Sequence, residues 1–315
     1  MLAYVGARLF QAVPVLLLAS VVIFGFIRLI PGDPALALAG QNATTEQIEA
    51  LRHRFGLDRP LVTQYWTWIS YAVQGDLGVS YISDRPVADL IRQRIPATIQ
   101  LALGSVLVML LIGGPIGVLT AIRPRNPLAR LVGVVNAIAL ATPTFWLGLL
   151  LILYFSVSRH WLPASGYVSF GDSPIEAVTH LLLPALTLGA YGTAVLIRFL
   201  NASISEAMQA EFVRVAYGKG LRERSIVFRH ALKVALPPVV TIMAIQFGQL
   251  LGGAVVTESV FGWPGLGRLI LDAIANRDYL VVQSTMLLFV TIFITLNIIA
   301  DVSYAFLNPR IRFAR

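Results

Sequence analysis

The sequence predicts an all-α integral membrane protein with six transmembrane helices, and three observations predict it. Of 315 residues, 57% are hydrophobic and only 13% charged, with a mean hydropathy of +0.76. Soluble chains carry about a quarter charged residues, so this chain has too little polar surface to coat soluble domains of its mass. Six charge-free gaps are each long enough for the roughly 20 apolar residues that a spanning helix needs. The short loops between the gaps differ in charge, and that difference sets an orientation.

The gaps run between Arg8 and Arg28, Arg94 and Arg123, Arg130 and Arg159, Glu176 and Arg198, Lys233 and Glu258, and Asp278 and Asp301. An even number of spans leaves both termini on one side. The first gap could be read as a secretory signal, because Ala37-Leu38-Ala39 resembles a cleavage site. Its apolar stretch, 9–27, is longer than a typical signal core, and Pro31 and Pro34 intervene. It is expected to stay as a span.

With the N-terminus in the cytoplasm, the inner segments carry 14 Lys and Arg against 3 acids, and the outer ones 10 against 12. Most outer bases sit in the long 31–97 segment, which the positive-inside rule largely ignores. The short loops therefore put the N-terminus and the C-terminus in the cytoplasm. The net charge of +8 follows from the same retention of Lys and Arg, and nucleic acid is not an expected partner. There is no cysteine, so disulfides and thiolate chemistry are excluded. His53, His160, His180 and His230 form no ligand spacing, and neither a metal nor a cofactor is expected.

The chain divides into residues 1–30 (N-terminus and first span), an extracytoplasmic insert at 31–97, and a five-helix core at 98–315 with a cytoplasmic loop at 201–235. In the insert, Thr44 and Gln47 match a capping box, Ile48, Leu51 and Phe55 recur at helical spacing, and Gly56 ends the turn. A second helix is expected at 61–73, where Tyr65, Trp66, Trp68 and Tyr71 crowd together. Two readings stay open: it lies along the outer interface, or it belongs to a small packed subdomain. Beyond Gly262, Pro264, Gly265 and Gly267, the residues Leu266, Leu269, Ile270, Ala273 and Ile274 form the stripe of a helix too short to span, expected to cap the outer side.

The 201–235 loop reads as a helix–turn–helix. Glu211 to Tyr217 is helical, Gly218 and Gly220 punctuate, and Ser225 to Leu236 is helical until Pro237 and Pro238. It carries Arg214, Lys219, Arg222, Arg224, Arg229 and Lys233. Charge alone would mark topology, but two helices about a glycine turn suggest a docking element.

At this loop the chain resembles the membrane-spanning permease subunits of bacterial ABC importers, in the dipeptide/oligopeptide/nickel/glutathione branch. EFVRVAYGKGL followed by ERSIVFRHALKVALPPVV is similar to that branch's EAA loop. IPGDP (30–34), FGLDRPLVTQY (55–65), GDLGVS (75–80), HLLLPALTLG (180–189), VTESVFGWPGLGRLILDAI (256–274) and NPRIR (308–312) extend the resemblance along the chain. A literal Glu-Ala-Ala is absent: Arg214-Val215-Ala216 stands in its place, and Glu211 is only a nearby substitute.

The resemblance implies a type I importer architecture in the bacterial plasma (inner) membrane, in contact with lipid. The partners it implies are a homologous second permease, two ABC ATPase subunits and an extracytoplasmic solute-binding protein. It also implies that Glu211, Arg214, Ala216, Gly220, Leu221 and Arg224 belong to the ATPase-coupling loop. Leu221 either anchors in a groove of the ATPase or packs on the loop's own second helix. No phosphate-binding loop of the G-x-x-x-x-G-K-[ST] type occurs, so a non-catalytic subunit is expected.

The rival function is an ion-coupled secondary transporter acting alone, which needs ionisable groups at mid-membrane. Inside the six gaps only His180 is present. Asp301, with Asn297 one turn away, is either a relay or a polar helix contact. Gln246, Gln249 and Asn297 are the candidate pore-lining residues, and Gln246 either lines the path or bridges helices. An intramembrane enzyme would need paired catalytic groups in the spans, and none is visible.

Overall fold

The computed structural model describes residues 2–29, 34–39 and 43–307. Most of the IPGDP motif and all of NPRIR therefore lie outside the described residues. The helices are α1 (Leu2–Leu29), α2 (Pro34–Ala39), α3 (Thr45–Arg54), α4 (Leu61–Val73), α5 (Val87–Val108), α6 (Gly114–Ile122) and α7 (Pro127–Ala141). They continue as α8 (Thr144–Leu151), α9 (Pro174–Gln209), α10 (Glu211–Gly218), α11 (Glu223–Ile226), α12 (Leu232–Val260), α13 (Leu266–Ala275) and α14 (Tyr279–Leu307). Widened π turns at Met109–Gly113 and Val227–Ala231 join α5 to α6 and α11 to α12, and a third, Ile152–Ser158, extends α8.

Among the described residues, four helical stretches are long and apolar enough to cross a membrane: Gly6–Leu29, Val87–Ile122, Pro174–Gln209 and Tyr279–Ile299. Four of the six charge-free gaps fall on them. The gap between Arg130 and Arg159 does not form the continuous span expected of it. Pro127–Ala141 and Thr144–Ser158 meet at a bend of 111°. The cause is local: the Pro143 ring drives the preceding residue out of the helical region, and Thr142 sits at φ −80°, ψ 125°.

A second correction concerns Pro237 and Pro238, expected to end the helix of the cytoplasmic loop. The chain instead runs helically through both to Val260. In apolar surroundings a chain leaving its helix would expose backbone groups with no partner, which costs more than the two donors that the prolines lack. Residues 234–257, the fifth expected gap, lie inside this 29-residue helix.

The chain forms two compact units. The first comprises residues 1–98 and 264–295. Its capping box is formed: Thr44 Oγ1 accepts from the Gln47 N–H at 3.3 Å, while Gln47 Oε1 accepts from the Thr44 N–H at 3.0 Å. Gly56 then turns the chain at φ +64°. Helix α4 packs on α1, with Tyr65 edge-on to Phe24, Trp68 stacked on Phe24, and the Tyr65 and Ser20 hydroxyls 2.9 Å apart. That face belongs to a packed subdomain, while Val62 and Trp66 remain exposed away from it. Helix α13 forms where the stripe placed it. Its Leu266, Leu269 and Ala273 enter a core with Ile23, Ile27, Val87, Ile91 and Tyr279. The Thr98 hydroxyl accepts the first amide of that helix, Leu266 N–H, at 2.8 Å.

The second unit comprises residues 99–263 and 296–315. Its centre is α9, a 36-residue helix that packs against α6, α7, α8 and α12. Small residues let the backbones approach, the usual means of helix association in a membrane. A Cβ on Gly189 would lie 2.8 Å from the Ser105 carbonyl oxygen, and one on Gly117 would lie 2.9 Å from Leu200 Cβ.

Candidate functional site

Residues 211–235 fold as a helix–turn–helix with its own small core. Val213, Ala216 and Ile226 are buried against one another, and Met208 packs beside them. Val213 and Ala216 stand three apart on α10, so one face of that helix is committed inward, and Ile226 of α11 closes over it. The joint is built from two hydrogen bonds: Gly220 N–H donates to the Tyr217 carbonyl at 2.9 Å, and Leu221 N–H to the Ala216 carbonyl at 3.2 Å. With Gly220 at φ +74°, this is a Schellman motif, in which a left-handed residue closes a helix and satisfies its last carbonyls.

The six expected loop residues separate by geometry. Ala216 is interior, and Gly220 shapes the turn. Glu211, Arg214, Leu221 and Arg224 are exposed. Leu221 keeps 39% of its surface exposed. Phe212, Val215, Tyr217 and Phe228, which the sequence analysis did not single out, are exposed as well. Large exposed apolar side chains are unusual on so basic a segment. Arg214, Lys219, Arg222, Arg224, Arg229 and Lys233 are all exposed on it.

The polar residues at depth separate too. Gln246 is buried at 6% exposure and lines a cavity of about 360 Å³ with Tyr191, Val195, Arg198 and Ile242. Gln249 is exposed and Asn297 half-buried. The side chain of Asp301 lies outside the described residues. His180, near the start of α9, is bonded through Nδ1 to the Glu176 carbonyl at 2.9 Å.

One polar anchor was missed by sequence reasoning. Asp278, 3% exposed, accepts from the Ser80 hydroxyl through Oδ2 and from the Tyr81 N–H, 3.3 Å from Oδ1. It ties the GDLGVS turn to the start of α14. Beside it, burial pushes the Tyr81 phenol up to about 12, with Arg28 opposing that rise and Asp278 and Tyr279 adding to it. The available signal was that Ser80 stands two residues after the turn glycine Gly78 and Asp278 directly before the start of α14. Among the described residues no three His, Asp or Glu side chains group as metal ligands.

The chain matches two family models: "Binding-protein-dependent transport system inner membrane component" over residues 113–313, and the N-terminal membrane-component model of the same transport systems over residues 1–102. It is 45% identical, over 99% of its length and all of the relative's, to the glutathione transport system permease protein GsiC of Escherichia coli O6:H1. The protein of the same name from Escherichia coli K12 is 44% identical over the same shares. Among solved structures, an inward-facing MetNI methionine ABC transporter matches with a TM-score of 0.58. The match has 18% identity and covers 70% of this chain and 96% of that one.

Proposed function

Because the chain belongs to the binding-protein-dependent inner-membrane permeases of bacterial ABC importers, in the dipeptide/glutathione branch, we propose that it forms half of a translocation path for peptides or a related small solute. It is a multi-pass protein of the bacterial inner membrane. In this reading six spans cross the bilayer with both termini in the cytoplasm, the broken pair α7–α8 counting as the third. A homologous second permease completes the path. A solute-binding protein delivers substrate from outside, and ATP is hydrolysed on two partner ATPases rather than on this chain. Glutathione, named for the relatives, is one member of the proposed substrate class.

The observation that carries the mechanism is the set of exposed apolar side chains on the Schellman-turned loop. Phe212, Val215, Tyr217 and Leu221 present apolar surface that a groove on an ATPase subunit would bury, and the surrounding arginines suit an acidic rim. A rigid helix–turn–helix with its own core transmits a push from that groove into α12, because α11, the π turn and α12 form one continuous helix. Gln246 lies on that same helix beside the Arg198 cavity, so the push reaches a polar position at depth.

The test is composition. Solubilised from its native membrane with a tag on the C-terminus, the chain is expected to copurify with a second permease and with ATPases in the ratio of one permease pair to two ATPases. Leu221→Asp is expected to retain the second permease and lose the ATPases. Wild-type chain that purifies alone contradicts the proposal.

A further inference from the structure

We infer that the second unit holds a site for an anionic phospholipid, its phosphate beside Arg130 and Arg198 and one acyl chain in a groove along α7 and α9. Two cavities, of about 490 and about 360 Å³, adjoin there and share Val132, Asn136 and Ile197 in their walls. They follow one another in the same direction along the helices. On α9 the smaller takes positions 186–197 and the larger 197–201; on α5 and α6 the smaller takes 108–116 and the larger 120. From 186 to 201 is about 22 Å of helix, a length that suits an extended acyl chain with its headgroup. The two ends differ in chemistry. The larger cavity carries Thr120, Arg130, Arg198 and Asn201. The smaller is walled by Ile112, Ile116, Leu131, Val135, Leu186 and Ala190, with Asn136 and Thr193 the polar side chains of its lining.

Charge selects the headgroup. No Asp or Glu lines either cavity, and among the described residues neither Arg130 nor Arg198 forms an ion pair. No acid occurs in the chain between Asp89 and Asp172, whereas Arg123 and Arg125 occupy the short turn between α6 and α7. The neutral polar groups already have partners. Thr120 Oγ1 donates to the Ile116 carbonyl at 2.9 Å and accepts from Asn201 Nδ2 at 3.0 Å, and Asn136 Nδ2 donates to the Ala194 carbonyl at 3.0 Å. Guanidinium groups bind phosphate oxygens through charge-assisted, often bidentate hydrogen bonds. A free phosphate would answer the arginines and leave the apolar end empty, whereas a phospholipid fills both. Leu131, Val134, Val135 and Ile138 of α7 are exposed, so the rim of the groove is apolar surface suited to lipid tails. Basic clefts between helices on the cytoplasmic side suit the anionic headgroups of that leaflet. Only the choice of leaflet rests on the orientation proposed above.

The test uses the full chain with its partner subunits in phosphatidylcholine nanodiscs that carry a small share of phosphatidylglycerol with a photoactivatable acyl chain. Labelled peptides are identified by mass spectrometry. Label is expected on the groove residues of α7 and α9, undiminished by inorganic phosphate, and at least fivefold weaker with the matching phosphatidylcholine probe. Arg130→Gln and Arg198→Gln are each expected to lower it at least fivefold, while Arg198→Lys, which keeps the charge, retains most of it. Both arginines are exposed, and unchanged gel filtration of the complex checks that assembly is kept. Because Arg198 also lines the Gln246 cavity, labelling rather than transport is the readout. Equal labelling by the two probes, equal labelling of wild type and both Gln variants, or label that misses α7 and α9 overturns the site. Displacement by inorganic phosphate overturns the lipid in favour of a free anion.

Discussion

At the scale of single residues, the proposed coupling rests on Gly220 and Leu221. No atom lies within 4 Å of a Cβ built on Gly220, so a side chain there meets open space and the cost is conformational alone, from φ +74°. For a branched residue that cost is about 1–2 kcal/mol, whereas asparagine tolerates the left-handed region. Gly220→Val is therefore expected to leave the chain inserted in the membrane while transport falls at least tenfold. Gly220→Asn should keep most activity. Uptake assays on membranes with matched chain levels decide it, and equal activity of the two variants would contradict the turn's role. Both residues were legible in the sequence, because a glycine between two helical stretches is a local signal. The buried anchor of Asp278 on Ser80 was not. The two residues stand 198 apart along the chain, and only the packing of the 75–80 turn against the start of α14 brings them together. Ala216 was legible as a loop residue but not as an interior one.

Helices were read well where the signal is local and poorly where a proline decides. The capping box of α3, the bounds of α4 and the stripe of α13 were all in the sequence, because each depends on neighbours within a few turns. Charge-free length suggested one helix across 131–158, but Pro143 breaks it; the same residue type at Pro237 and Pro238 breaks nothing. Proline removes a donor in both places, so what differs is the neighbouring packing, which sequence alone does not give. The close approach of α9 to the α5–α6 rod gives a test at this scale. Gly189→Ala puts a methyl against the Ser105 carbonyl, a backbone atom that cannot swing away. Overpacking of this kind costs about 1–3 kcal/mol, so the complex should melt several degrees lower in detergent. Gly114→Ala meets no atom within 4 Å and should melt unchanged. Equal melting of the two variants would contradict the packing of α9.

For the whole molecule, the family and the membrane class were legible from composition and motif order, while substrate was not, because no residue pattern in the chain names a solute. Orientation is the next claim to test. With no native cysteine, single cysteines can replace exposed Ser83 and exposed Lys219 without background. An impermeant thiol reagent on intact spheroplasts should label Ser83→Cys and spare Lys219→Cys; the reverse pattern would invert the topology. The central claim, that this permease moves solute only as part of an ATP-driven complex, is tested most directly in proteoliposomes. The complete complex with its binding protein is given a mixture of small peptides and glutathione outside, and the internal contents are read by mass spectrometry. One or more of these solutes is expected to accumulate only when ATP reaches the ATPase side, and the isolated chain is expected to accumulate none under a proton gradient. Accumulation by the isolated chain without ATP would contradict it.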